Sequence, residues 1–384
     1  MPLSKDRVLL IHFRPYIFVT NGGGKSEQER CAQLSKQLEL EVSPGQFICG
    51  HTPMREMAEI YDCVLVVGGE GEKCREVALE YGFKTVITPG DVIKTQPDVT
   101  PFRKLTEQET KNSIVRDFKK MKVQAIFVFA DSKDWGSDTQ IILDFLLSKN
   151  GELGTRSETM DEGPPLFFAH NDLVWATSHA SVRIGMGALR KSVEAMYEAM
   201  AGKPLNPTSF GKPQIGTFEY ATRLLKQWRK DTHGIDAAPD TIYFVGDTPE
   251  SDIRGTNDMD EHADNDWYSI LVRTGVYKTG TKPKYEPKVT VDTVLDAVRH
   301  GMEREYKKGM QQKSRKASVI PENAIAEDAI TEGSPTAEKN AELGVTTPGG
   351  TNKQAEADNY VNGTNGVNGA HGTTNGTNGV NGHA

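Results

Sequence analysis

The sequence predicts an α/β protein with a mainly parallel sheet, and three observations carry that prediction. Short β-favouring runs alternate with stretches of helical periodicity, and Gly- or Asp-containing turns follow the runs. The 384 residues, 36% hydrophobic and 26% charged, suffice for two or three globular domains. Strands joined through helices favour parallel pairing, because the crossover returns the chain in the same direction.

The first ordered run, Tyr16–Val19, ends at Thr20-Asn21-Gly22-Gly23-Gly24, and Ser26–Leu40 then reads as a helix. Cys63–Val67 leads into a helix over Glu72–Tyr81, Ala125–Ala130 into Thr139–Leu147, and Leu166–Ala169 into a loop. Helices are expected over Ala188–Met200 and Thr217–Arg229. The run Thr241–Val245 ends at Gly246-Asp247, and a strand at Ser269–Arg273 and a helix near Val291–Tyr306 close the ordered part. The acidic stretch Asp258–Asp266 reads as a solvated loop. From about Met310 strong hydrophobes vanish and Asn-Gly repeats take over, a composition that cannot offset its own chain entropy, so disorder is expected there.

Composition excludes several function classes. A net charge of -8 argues against retention on nucleic acid or on an anionic membrane surface. No apolar run approaches the roughly 20 residues needed to cross a bilayer, so membrane insertion is not expected. Cys31, Cys49, Cys63 and Cys74 have no CxxC spacing, and reduced structural thiols are the expectation. Gly23-Gly24-Lys25-Ser26 invites a nucleotide loop, but Val19 stands where the motif needs glycine. Val67–Gly71 lacks the third glycine of a dinucleotide loop and is explained by a turn.

Phosphoryl chemistry needs a nucleophile, a divalent cation and fixed donors around the phosphoryl oxygens. Thr20 ends a strand before a Gly-rich turn, so its hydroxyl and the following amides can meet a phosphate oxygen, although many such threonines only cap the next helix. Lys212, between Gly211 and Pro213, is placed at a helix start with its ammonium toward the sheet edge. Asp247 ends an apolar strand and Asp252 follows five residues on, which suits Mg²⁺, a cation of hard oxygen ligands. The ordinary alternative for that segment is a turn with a helix cap.

Taken in order, the strand with Thr20-Asn21, the Gly-Lys-Pro at Lys212, and Gly-Asp-x-x-x-x-Asp at Asp247 and Asp252 resemble the second, third and fourth motifs of the haloacid dehalogenase superfamily. Gly50-His51-Thr52-Pro53, Val128–Trp135, Phe167–Ala176 and Val245–Asn257 extend the resemblance to the cat-eye-syndrome-critical-region-type branch of subfamily IIA, over roughly residues 16–308. The resemblance implies a doubly wound, Rossmann-like core with an inserted α/β cap. Residues 1–45 and 206–309 would form the core, 46–205 the cap and 310–384 the tail. It further implies Mg²⁺-dependent hydrolysis of a small phosphorylated metabolite through an aspartyl-phosphate. Thr20 and Asn21 would bind phosphate, Lys212 would stabilise charge, and Asp247 with Asp252 would hold the metal. His170, Asn171 and Asp172 would face substrate from the cap, a structural turn being the alternative for them. Homodimerisation through the cap and a mitochondrial location are implied as well, with the cytoplasm as the other compartment.

The first motif, Asp-x-Asp-Gly on an opening strand, has no counterpart: Asp6 is the only acidic residue before Thr20, and Ser4 stands at the nucleophile's place. Serine cannot replace aspartate without a base. The expectation is a shortened form of an active enzyme, inactive as written. The alternative is a non-catalytic phosphate- and metal-binding or scaffold relative. Some fungal members of the branch are linked with phospholipid synthesis through a CDP-alcohol phosphatidyltransferase domain, whose signature is absent here.

Overall fold

The computed structural model describes residues 14–277 and 280–317. Ser4, Asp6 and the tail from 318 onward lie outside the described residues. Twelve strands and nine α-helices are described, and they confirm an α/β fold with parallel sheets.

The larger sheet has five parallel strands, β3 (Cys63–Val67), β4 (Thr85–Ile87), β5 (Ala125–Val128), β6 (Leu166–Phe168) and β9 (Thr208–Ser209), in the order β4-β3-β5-β6-β9. The order reverses direction between β3 and β5, as in doubly wound sheets. Its strands are near-continuous apolar runs because both faces are covered: Val64–Val67 and Ala125–Val128 are all at most 1% exposed. Helices α2 (Lys73–Glu80), α3 (Pro89–Thr95), α4 (Glu107–Asn112), α5 (Trp135–Leu146) and α6 (Met186–Ala201) lie between these strands in sequence.

Two smaller sheets are also parallel. In one, β1 (Phe18–Val19) pairs with β2 (Phe47–Ile48), and α1 (Glu27–Leu38) packs Cys31 against Phe47 and Cys49. In the other, β10 (Thr241–Gly246), β11 (Asp266–Val272) and β12 (Val289–Val291) lie in that order. The strand period of two sorts β10 between two clusters. Ile242 and Phe244 pack with Phe218 of α7 (Ile215–His233) and Met259 of α8 (Arg254–His262), whereas Tyr243 and Val245 pack with Ala297 of α9 (Val294–Ala317). Helices therefore cover both faces of this sheet. Among the described residues no strand joins β1 to β10.

Several expectations are corrected. Phe47–Ile48 pairs with β1, and Thr208–Ser209 is the fifth strand of the larger sheet, on the far sides of the positions 45 and 205 where a change of domain is expected. The acidic stretch is not a loop: Asp258–His262 completes α8 and Asp266 opens β11, its carboxylate paired with Arg304 and Lys308. Helix α9 runs through Met310 to Ala317, past the expected start of the tail, because Gln, Lys, Arg, Met and Ala are good helix formers without any apolar stripe. Helix α5 starts four residues early, since the Asp134 side chain accepts the Ser137 amide and caps it.

One buried carboxylate on α5 works against the fold. Asp138 is 8% exposed, and burial pushes its pKa up to about 6. A raised folded-state pKa contributes stability at low pH that is lost as pH rises from the unfolded value near 3.8 through about 6. Asp138→Asn is therefore expected to gain roughly 1–2 kcal/mol at pH 7.5 in urea unfolding, and nothing at pH 4.

Candidate functional site

Three chain segments far apart in sequence meet at the ends of β1 and β10. The Thr20–Gly24 turn follows β1, the Gly211–Gln214 turn precedes α7, and the Asp247–Asp252 turn follows β10. Their meeting point is Lys212. Its Nζ lies 2.7 Å from Asp252 Oδ1 and donates to the Val19 carbonyl at 3.1 Å, so one ammonium ties the end of β1 to the turn after β10. The pair is largely withdrawn from water, with Lys212 11% and Asp252 3% exposed at their side chains. The ammonium also lies 5.7 Å from the Phe244 ring centre.

Asp252 is held on its other side. Its Oδ2 accepts the amides of Asp247 and Thr248, both at 3.0 Å, so the carboxylate organises the turn that carries Asp247. Asp247 Oδ2 accepts the Val276 amide at 2.7 Å, and its Oδ1 meets no protein donor among the described residues. An unengaged carboxylate oxygen at a strand end, beside a second carboxylate, is the hard-oxygen donor set that suits Mg²⁺. These residues fit that ion: Asp247 would hold it directly and Asp252 would support it.

Thr20 Oγ1 accepts the Gly22 amide at 3.1 Å, and the Thr20 amide donates to Ile48. Asn21 behaves differently from the expectation of a phosphate ligand. Its Oδ1 accepts the Lys212 amide at 2.7 Å, while its Nδ2 donates to the Lys212 carbonyl at 2.9 Å and to Asp172 Oδ2 at 3.0 Å. With both amide hydrogens used, the side chain clamps three segments together and has no donor left for phosphate. Gly211 is required by this clamp. At φ +73°, a Cβ there would approach the Ala169 carbonyl at 2.7 Å and Asn21 Oδ1 at 2.9 Å.

The corner His170–Asp172 is brought to the site only in part. Asp172 reaches Asn21, and burial raises its pKa. His170 is buried, which lowers its pKa, and its Nδ1 accepts the Asp172 amide. Asn171 points elsewhere: its Oδ1 accepts Arg190 Nη1 at 2.7 Å and the Ser209 hydroxyl at 2.8 Å, an anchor to α6 and β9. Lys212 also differs from expectation in its setting. Pro213 is not the first residue of a helix, because the Gln214 amide closes a turn on Gly211 and α7 begins at Ile215.

Comparison with known proteins decides the family. Profiles of haloacid dehalogenase-like hydrolases match residues 7–84 and 209–297. A mitochondrial hydrolase of Saccharomyces cerevisiae is 35% identical over 312 residues, covering 76% of this chain and 86% of the relative. The chain belongs to the haloacid dehalogenase-like hydrolases. A cardiolipin synthase (CMP-forming)/mitochondrial hydrolase fusion protein of Schizosaccharomyces pombe is 40% identical over 287 residues, 74% of this chain and 47% of the fusion. The chain thus spans about half the length of that relative. Among solved structures, a hypothetical protein from Pyrococcus horikoshii is 16% identical with a TM-score of 0.49, covering 78% of this chain and 92% of that one.

A feature of this chain that sequence reasoning missed lies beneath the Gly-rich turn. Glu27 Oε1 accepts the hydroxyls of Tyr81 at 2.6 Å and Thr52 at 2.8 Å, and His51 Nδ1 lies 2.7 Å from the Tyr81 hydroxyl. Donor atoms of Glu27, Cys49 and His51 lie within 4.8 Å of one another, as in a metal site, but the Thr52 and Tyr81 hydroxyls already bridge them. Burial pushes the Cys49 and Cys74 thiols up to about 12, which makes them inert structural groups. Glu27 and Tyr81 stand 54 residues apart, and no local pattern could have joined them.

Proposed function

We propose that this chain carries the phosphate- and Mg²⁺-binding body of a phosphohydrolase acting on a small phosphorylated metabolite. The observation supporting this most directly is the Lys212 ammonium held between Asp252 and the Val19 carbonyl. In this reading the Thr20 hydroxyl and the turn amides receive one phosphoryl oxygen, and Lys212 offsets the charge that grows on the phosphoryl group. Asp247, supported by Asp252, would hold Mg²⁺, which when bound supplies Lewis-acid stabilisation of the phosphoryl oxygens. His170 and Asp172 close the site from the cap, and Asn21 fixes the three segments in register. Transfer to an aspartate belongs to a form with Asp-x-Asp-Gly ahead of Thr20, a motif not found in this sequence.

That missing motif supports a second reading, a relative that binds phosphate and metal without turnover. Phosphate release from p-nitrophenyl phosphate with Mg²⁺ separates the two, measured on this chain and on one in which an Asp-x-Asp-Gly strand precedes Thr20. The first reading expects turnover only in the second protein. Phosphate-dependent stabilisation without turnover in either favours the binding relative, and neither effect in either protein defeats both. A mitochondrial location is proposed from the two yeast relatives' names, and fractionation checks it.

A further inference from the structure

Beside the Thr20–Gly24 turn stands a cation that has no part in the site so far. Arg30 lies on α1, and its guanidinium comes up against Gly22: a Cβ on that glycine would stand 3.3 Å from Arg30 Nη2 and 3.5 Å from Thr20 Oγ1. One point at the turn is thus bordered by a guanidinium and a hydroxyl together, and only glycine keeps a side chain out of it. Thr20 Oγ1 accepts the Gly22 amide, which leaves its own O–H as a donor.

Arg30 is short of partners. Its Nε is buried and meets no acceptor among the described residues, and its side-chain hydrogen bond there is a long one, from Nη1 to Gln33 Oε1 at 3.5 Å. A buried donor left unpaired costs stability, and native proteins keep few of them. The acids nearest in sequence are engaged elsewhere: Glu27 by Tyr81, Thr52 and Arg55, and Glu29 by Lys25 and Lys73. Arg75, Arg103, Arg116, Arg190 and Arg304, by contrast, each hold a carboxylate. The charge of Lys212 is already met by Asp252 at 2.7 Å. Among the described residues no carboxylate forms an ion pair with Arg30, so its charge is available to an anion at the turn.

Resting on the phosphohydrolase reading above, we propose that Arg30 is a substrate-binding residue whose guanidinium and the Thr20 hydroxyl together receive oxygens of the phosphoryl group beside Gly22. A guanidinium suits this part because its planar fork of donors fits phosphate oxygens and stays charged at every working pH. Arg30 supplies the full charge that Lys212, offset by Asp252, does not. Gly22 belongs to the same arrangement, since a methyl group there would stand between the two donors.

The test is calorimetric titration of inorganic phosphate into the full chain at constant Mg²⁺, repeated on Arg30→Met, Gly22→Ala and Lys36→Met. Lys36 is exposed in the last turn of α1, so its substitution removes the same charge from the same helix at the end remote from the turn. The expected result is an affinity about tenfold or more weaker in Arg30→Met and in Gly22→Ala, and unchanged in Lys36→Met. The melting temperature of Arg30→Met without phosphate should not fall, because methionine keeps the packing of the stem and removes an unpaired buried donor. A fall would show that the guanidinium serves the fold, and it overturns the proposal. Phosphate affinity that Arg30→Met retains, or that Lys36→Met loses equally, also overturns it while leaving phosphate binding at the site in place. No phosphate binding by the unaltered chain defeats the phosphohydrolase reading, and this inference with it.

Discussion

Lys212→Met is expected to destabilise the chain by roughly 3 kcal/mol and to abolish any stabilisation by phosphate. Methionine keeps the length and most of the volume of lysine but removes the charge. Asp252, 3% exposed at its side chain, then keeps only the amides of Asp247 and Thr248 at its Oδ2 and loses its ionic partner at Oδ1. Removing one member of a buried pair costs far more than the pair contributes as a whole, because the remaining charge has neither solvent nor counterion. The Val19 carbonyl loses a donor as well, so the end of β1 and the turn after β10 are no longer tied through this side chain. Urea unfolding checks the magnitude. Asp252→Asn in the same background should cost less than it does alone, since the two groups interact directly and their effects are not additive. A Lys212→Met protein as stable as the parent would mean that the ion pair is not formed in solution.

Acidification is expected to remove a second, comparable quantity of stability between about pH 6.5 and about pH 4. His51 is fully buried, and that burial lowers its pKa to about 4. The unfolded chain takes up a proton near pH 6.5 that the folded chain refuses, so stability present above pH 6.5 is lost as pH falls toward the folded value. The shift corresponds to roughly 3 kcal/mol for this one group. Burial lowers the pKa of His170 too, adding a contribution of the same sign. Asp138 and Asp172, raised by burial, act in the opposite sense over the acid part of the range. Comparison with His51→Gln isolates the imidazole, because glutamine cannot titrate and can still meet Tyr81. The variant's stability should fall less steeply below pH 6.5 than the parent's, read by urea midpoints at each pH. Parallel profiles would show that His51 is not held neutral by the fold.

How much of this was legible in the sequence depended on the range of the interaction. Strand ends were readable because an apolar run stopping at Thr20 or Asp247 is a local signal, and Cys63–Val67 was found at its observed bounds. Helix ends shifted where a cap chose them, as Asp134 does for α5. The acidic stretch after Asn257 misled because its last carboxylate, Asp266, finds its partners Arg304 and Lys308 on α9, about forty residues later. Within the site, the residue types were visible and their division of labour was not. Asn21 looks like a phosphate ligand from its place after Thr20, yet its amide is taken up by Lys212 and Asp172. Asn171 sits between two residues near the site but is turned away by Arg190 on α6. Nothing in a linear pattern distinguishes a side chain that meets a ligand from its neighbour that anchors the loop.

The central claim, that Asp247, Asp252 and Lys212 together form a metal and phosphate cradle, is tested most directly by calorimetric titration of Mg²⁺ into the chain in the presence of inorganic phosphate. Asp247→Asn removes the carboxylate whose Oδ1 has no protein partner while leaving the Val276 contact available, and its fold should persist. One Mg²⁺ site in the parent, lost in Asp247→Asn at an unchanged melting temperature, is the predicted result. No Mg²⁺ binding in the parent, or binding that Asp247→Asn leaves intact, would contradict the account.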